Sequence, residues 1–203
     1  MIYPFINRRN PLILASSSPR RKELLTQIGL PFHAVTSSVA EEDVNEDPVQ
    51  ISCSLAEKKA SAVQPGFKKS WILGADTVVV IDSKILGKPE DGNDAVRMLT
   101  LLSGRRHRVI TGFCIIDPSG RAVHSEAVTT EVLIKELTSQ EIKDYIRTGE
   151  PFGKAGSYAV QGIGAFMVKA LSGSYTNVVG LPLCAVIKAL VSVGALECFP
   201  FPD

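Results

Sequence analysis

Several common ingredients are absent from this chain of 203 residues. No apolar run approaches the roughly 20 residues that a membrane span needs, and the N-terminus lacks an apolar signal core followed by a cleavage site. These absences predict a cytoplasmic protein with no membrane partner. Charge of one sign is missing too: 22 Lys and Arg against 21 Asp and Glu leave a net charge of +1, which gives no general attraction to nucleic acid or an anionic surface. Any polyanion site must be local. The four cysteines, Cys53, Cys114, Cys184 and Cys198, show no C-x-x-C spacing, which argues against a zinc site and a disulfide framework and predicts reduced, mostly buried thiols. His33, His107 and His124 lie far apart and read as ordinary core or surface residues. Neither a G-x-x-x-x-G-K-[ST] phosphate loop, a G-x-G-x-x-G turn, H-E-x-x-H nor G-x-S-x-G occurs.

What is present is globular: 45% hydrophobic and 21% charged residues, with no repeat and nothing resembling a linker, predict one domain over 1–203. "LILA" reads as a buried strand, followed by a helix with Ser18 as N-cap, Pro19 at its first position and Gly29 as its stop. A second strand is expected over 32–36, then an acidic loop. The next helix starts behind Asp47 and Pro48, with Val49, Cys53, Ala56, Ala60 and Val63 on one stripe. "WILGADTVVVID" predicts two β segments interrupted at Gly74-Ala75-Asp76. A helix over 92–102 is capped by Asp91, and β runs over 108–116 and 122–134 flank the turn "DPSG". Thr138 and Glu141 form a capping box for a helix that ends at Gly149. Short strands are expected over 157–160 and 165–168, and a last helix over 182–193. Alternating strands and helices with one hairpin predict an α/β fold on a mixed sheet.

Charged residues stand where a core would not want them. Asp76 reads either as a buried carboxylate that needs a cation, a metal or several donors, or as a turn aspartate bonding its own backbone. Lys88 in "LGKPE" and Lys58 with Lys59 have exposed-surface readings beside any functional one. Arg20 and Arg21 oppose the dipole of the helix they open, at roughly 0.3–1 kcal/mol each. An arriving anion would reverse that sign. Unpaired N–H groups, serine hydroxyls and arginine forks give 16–21 the parts of a phosphate cradle, although either arginine can also turn back into water. Glu41, Glu42, Asp43, Glu46 and Asp47 offer carboxylates to a hard cation such as Mg²⁺.

In order along the chain, "LILASSSPRRKELL", "LAEKKA", "GADTVV", "LGKPED", "LSGRRHRVITG", "GEPFGKAGSYAVQGIGAFMV" and "GSYTNVVGLPL" resemble the motifs of the Maf family of nucleoside triphosphate pyrophosphatases. The resemblance implies a long mixed sheet with two lobes around a cleft, similar to inosine triphosphate pyrophosphatases. It implies hydrolysis of a nucleoside triphosphate to the monophosphate and pyrophosphate with Mg²⁺ or Mn²⁺, and a homodimer is common in the family. Carried over residue by residue, it makes Asp76 the proton acceptor and a metal ligand, Arg20, Thr77 and Gln161 the substrate-selecting residues, and Ser16, Arg21, Lys59 and Lys88 the phosphate-binding residues, with Glu41 as a further metal ligand. Gly153 and Ala40 stand where the family often has aspartates, so two carboxylates are missing from its pattern.

Asp76 is expected to activate water, directly or through the metal, for attack at the α-phosphorus. Gln161 carries one acceptor and one donor, which match N3–H and O4 of uracil or thymine, so the chain resembles the branch acting on dTTP and UTP. The amide can flip to match cytosine, and CTP stays open on this residue alone. The competing class is a nucleotide-binding regulator of cell division with little or no hydrolysis.

Overall fold

The computed structural model describes residues 3–37, 39 and 47–200. The elements are β1 (Leu12–Ala15), α1 (Pro19–Gln27), β2 (Phe32–Ala34), α2 (Pro48–Val63), β3 (Ile72–Ile81), β4 (Lys84–Leu86), α3 (Gly92–Leu102), β5 (Arg106–Ile116), β6 (Ala122–Ile134), α4 (Ser139–Arg147), β7 (Val168–Ser172), α5 (Tyr175–Val179) and α6 (Leu183–Ser192). The strands form a mixed seven-stranded sheet in the order β2-β1-β3-β5-β6-β7, with β4 paired to β3. β1 runs parallel to β2 and β3, whereas β4 and β7 are antiparallel to their partners. All four residues of β1 are buried, as an apolar strand between parallel neighbours requires. The expected mixed α/β sheet is what forms.

Contacts divide the chain into two compact units: Met1–Asp76, Thr111–Val128 and Gly180–Asp203 make the first, and Thr77–Ile110 and Thr129–Val179 the second. The chain passes from one to the other inside β3, β5 and β6 and again after Val179.

In the first unit, α2 is fixed by close approach. A Cβ at Gly74 of β3 would lie 2.1 Å from the Ala56 carbonyl oxygen, and one at Gly112 of β5 would lie 2.3 Å from the Ser52 carbonyl carbon. Only glycine tolerates a helix backbone at that distance. The buried face of α2 is therefore Ile51, Ser52, Leu55, Ala56, Ala60 and Val63, and the expected stripe is corrected: Val49 and Cys53 are only half-buried. Small size at the two crossings, more than hydrophobic period, sets the rotation of the helix.

The same contact explains a second correction. β3 is one continuous strand of ten residues, because Gly74 accommodates the helix without leaving the ladder, where it pairs with Ala15. Asp82 and Ser83, at φ 48° and 62°, turn the chain directly into β4, a two-residue hairpin without its usual Asn or Gly signal.

The second unit packs Val79, Ile81, Met98, Leu99, Leu102, Val109, Val132 and Tyr145 into one cluster. Asp91 caps α3 through Asp94 N–H at 2.8 Å, and the Thr138 and Glu141 box caps α4. The strands expected over 157–160 and 165–168 are corrected to two short 3-10 turns, Ala155–Ser157 and Ile163–Met167, ahead of β7. Positive φ values at Gly156, Ser157 and Gly162 break the extended path on either side of 158–161.

Candidate active site

The register of β1 on β3 opposes Ala15 to Gly74. Ser16, the residue after β1, and Asp76, two residues past Gly74 within β3, therefore lie at the same end of the β1–β3 ladder. Ser16 is buried, and its Oγ accepts from Ser18 N–H at 3.2 Å; Ser18, in the N-cap position of α1, makes no capping bond with its side chain. Pro19 supplies the preset φ of the first helical residue.

Arg20 and Arg21 separate. Arg21 is 8% exposed, donates from Nε to the Gly180 carbonyl oxygen at 2.7 Å, and donates from Nη1 to Ser16 Oγ at 3.1 Å. It has not turned back into water; it braces the start of α1 against the backbone at Gly180. Arg20 is half-buried.

Asp76 is 6% exposed inside β3, so the turn-aspartate reading does not hold. Its Oδ1 accepts from Lys59 Nζ. Lys59 lies on the side of α2 that carries Ala56, Ala60 and Val63 toward the sheet, whereas Lys58 is exposed. The solvated-face reading thus holds for Lys58 and is corrected for Lys59. A carboxylate and an ammonium brought out of water together need each other: removing one partner of such a pair costs about 3–5 kcal/mol.

The first unit therefore pairs Ser16 with Arg21 and Lys59 with Asp76, and Arg20 precedes Arg21 on α1. Thr77, Lys88 and Gln161 belong to the second unit. Thr77 follows Asp76 in β3 and is half-buried, and Lys88 is exposed in the loop after β4. Gln161 is half-buried with its Oε1 fully shielded and accepting no hydrogen bond among the described residues. Glu41, Ala40 and the acidic loop through Glu46 lie outside the described residues. Gly153 has φ +74°.

No group of three or more His, Cys, Asp or Glu side chains suited to a metal occurs among the described residues. Asp76 alone is a single buried oxygen donor. That donor set fits Mg²⁺ or Mn²⁺ only in combination with substrate phosphate oxygens, the usual arrangement for such ions.

The second unit holds two hydrogen-bonded groups to which the sequence alone gives no functional role, one around His107 and one around Glu150. His107, 3% exposed, shares a 2.7 Å hydrogen bond with the Tyr158 hydroxyl, and burial pushes its pKa down to about 4. Glu150 accepts from the Tyr145 hydroxyl at 2.8 Å and from the N–H groups of Ile163 and Gly164 at 3.0 and 2.7 Å. The sequence signal for Glu150 is its place in "GEPFGKAG". The thiols are partly as expected: Cys114 is buried and Cys53 half-buried, but Cys184 and Cys198 are exposed. No helix among the described residues is long and apolar enough to cross a membrane.

Comparison with known proteins completes the picture. The chain is 51% identical over 192 residues to the dTTP/UTP pyrophosphatase of Syntrophotalea carbinolica, covering 93% of this chain and 87% of that one. It is 50% identical over 190 residues to the dTTP/UTP pyrophosphatase of Geobacter sp. strain M21, covering 93% and 98%. Among solved structures, the Staphylococcus aureus Ham1 protein matches 62% of this chain and 72% of its own at 13% identity and a TM-score of 0.43. The family described as Maf-like protein matches residues 11–193, nearly the whole length, and the chain belongs to the Maf family.

Proposed function

We propose that the protein hydrolyses dTTP and UTP to the monophosphate and pyrophosphate, in the cytoplasm and with a divalent cation. The observation that carries the reading is the buried Asp76 and Lys59 pair, with Asp76 in the middle of β3, a costly arrangement for a core with no chemistry to perform. The names of relatives about 50% identical over most of the chain support it.

In this mechanism a water oxygen attacks the α-phosphorus, the bond from that phosphorus to the bridging oxygen breaks, and pyrophosphate leaves. Asp76 takes the proton of the attacking water. Lys59 holds the carboxylate in place and supplies positive charge beside it. Arg20 and the serine hydroxyls at 16–18 bind phosphate oxygens, Arg21 keeps Ser16 and α1 in position for that contact, and Lys88 adds a further cation. Mg²⁺ or Mn²⁺, held by Asp76 and Glu41, would neutralise charge on the phosphates. Thr77 and Gln161 select the substrate, Gln161 by pairing its amide with N3–H and O4 of the pyrimidine. A homodimer belongs to the same proposal and is checked by sedimentation.

The deciding experiment is pyrophosphate release from dTTP, UTP, CTP, GTP and ATP, with and without Mg²⁺ or Mn²⁺. Release is expected from dTTP and UTP with metal. Tight nucleotide binding without release would overturn the enzyme reading in favour of a nucleotide-binding regulator.

A further inference from the structure

Gln161 sits in a short turn whose two sides are tied to one carboxylate. Upstream, Ala159 N–H donates to the Tyr145 hydroxyl at 3.2 Å, and that hydroxyl donates to Glu150 Oε2 at 2.8 Å. Downstream, Ile163 N–H and Gly164 N–H donate to the two oxygens of the same Glu150 at 3.0 and 2.7 Å. Gly162, at φ +91°, permits the approach: a Cβ there would lie 2.3 Å from Glu150 Oε1. The clasp encloses 159–164, and Gln161 is at its centre with a shielded amide oxygen that accepts nothing from the described chain. A buried amide acceptor left without a donor is unfavourable, so the clasp holds Gln161 in this turn at a cost.

We propose that Glu150 is a positioning residue for base selection, acting through this clasp to fix where Gln161 presents its amide to the pyrimidine edge. The inference rests on the reading of Gln161 as the base-selecting residue. An ionised carboxylate is the side chain the site requires, because the groups that face it, two N–H and one O–H, all donate. Burial raises the Glu150 pKa, but the hydrogen bonds from Tyr145, Gly164 and Ile163 and the charge of Lys154 outweigh burial and leave it lowered. Glutamine in its place would turn an NH₂ donor toward another donor and open one side of the turn.

The test compares kcat and KM for UTP and GTP in the wild type, Glu150→Gln, Tyr145→Phe and Gln161→Glu, with circular dichroism to verify folding. Glu150→Gln should lower kcat/KM for UTP by about tenfold to a hundredfold, mainly through KM, and reduce the UTP to GTP ratio. Tyr145→Phe should move the ratio the same way by less, and it carries the test if Glu150→Gln does not fold. Folded variants that keep the wild-type ratio, or that lose kcat equally for both nucleotides, overturn the positioning role. A wild type without pyrimidine preference, or a Gln161→Glu variant with an unchanged ratio, overturns the base-reading role itself, and does so in proteins whose Glu150 is intact.

Discussion

The two units bury different kinds of polar residue. In the first these are Ser16, Arg21, Ser52, Asp76, Thr111 and Asp117; in the second, His107, Thr130, Ser157 and Asn177. Among the described residues, formal charge is buried only in the first. In the second, these groups have neutral partners: Asn177 Nδ2 donates to the Val109 carbonyl oxygen at 3.1 Å and to Thr130 Oγ1 at 2.9 Å, and Ser157 Oγ donates to Met98 Sδ at 3.1 Å. Two of the three buried charges have structural explanations. Asp117 closes its own turn by accepting from Ser119 and Arg121, and Arg21 braces α1. Asp76 has none of that local kind: its cation comes from another element, and an apolar residue would suit that position in β3 better. Buried charge thus belongs to the first unit, and buried neutral polar groups to the second.

The largest effect expected from this contrast is on Asp76. Asp76→Asn keeps size and a hydrogen-bonding oxygen but loses the proton acceptor, so pyrophosphate release should fall by about 10²- to 10⁴-fold with a native circular dichroism spectrum. A near-native rate would remove the chemistry from the first unit. Lys59→Met probes the same pair from the other side. It leaves the carboxylate buried without its cation and should cost about 3–5 kcal/mol in urea unfolding, while the neighbouring Lys58→Met should change stability by less than about 0.5 kcal/mol. Equal effects at the two lysines would deny that burial distinguishes them.

Much of the fold was legible because its signals are local. Pro19, Asp47 with Pro48, Asp91 and the Thr138 and Glu141 box mark helix starts through interactions within one turn, and α1, α2, α3 and α4 begin where these residues predict. The failures are tertiary. Gly74 looks like a strand break until α2 is laid across it, and the glycine-rich 155–167 region takes its shape partly from Glu150, whose carboxylate binds residues 13 and 14 positions away. At the candidate site, Asp76 stood out by its polar place in an apolar run. The choice of Lys59 over Lys58, and the different tasks of Arg20 and Arg21, required helix rotation and packing that no local pattern encodes.

The second unit's neutral interior makes its own prediction, smaller than the Asp76 effect. Folded His107 has its pKa pushed down to about 4 by burial, below the unfolded value of about 6.5. The unfolded chain therefore binds a proton that the folded one refuses. This contribution to stability is complete above pH 6.5 and is lost as the pH falls from 6.5 toward 4, by roughly 3 kcal/mol in total. His107→Gln keeps a hydrogen-bonding group for Tyr158 but cannot titrate, and subtracting its urea-derived stability curve from that of the wild type should isolate this loss. A difference that stays flat across that window would mean that the second unit accepts a buried charge after all.

The smallest effect tests whether the contrast in chemistry is also a division in folding. Thr138 caps α4 in the second unit, and Thr138→Ala should cost about 1 kcal/mol. Trp71, the single tryptophan, is 4% exposed in the first unit, where its Nε1 donates to the Pro4 carbonyl oxygen at 3.0 Å. Its fluorescence therefore reports on the unit that does not carry the substitution, whereas far-UV circular dichroism reports on both. Because β3, β5 and β6 each run through both units, melting one would strip partners from strands that the other needs. The expected outcome is a single transition in urea whose midpoint shifts equally by the two signals, which makes 1–203 one cooperative domain. A Trp71 midpoint that stays in place while the dichroism midpoint moves would show instead that the charged and the neutral interiors unfold independently.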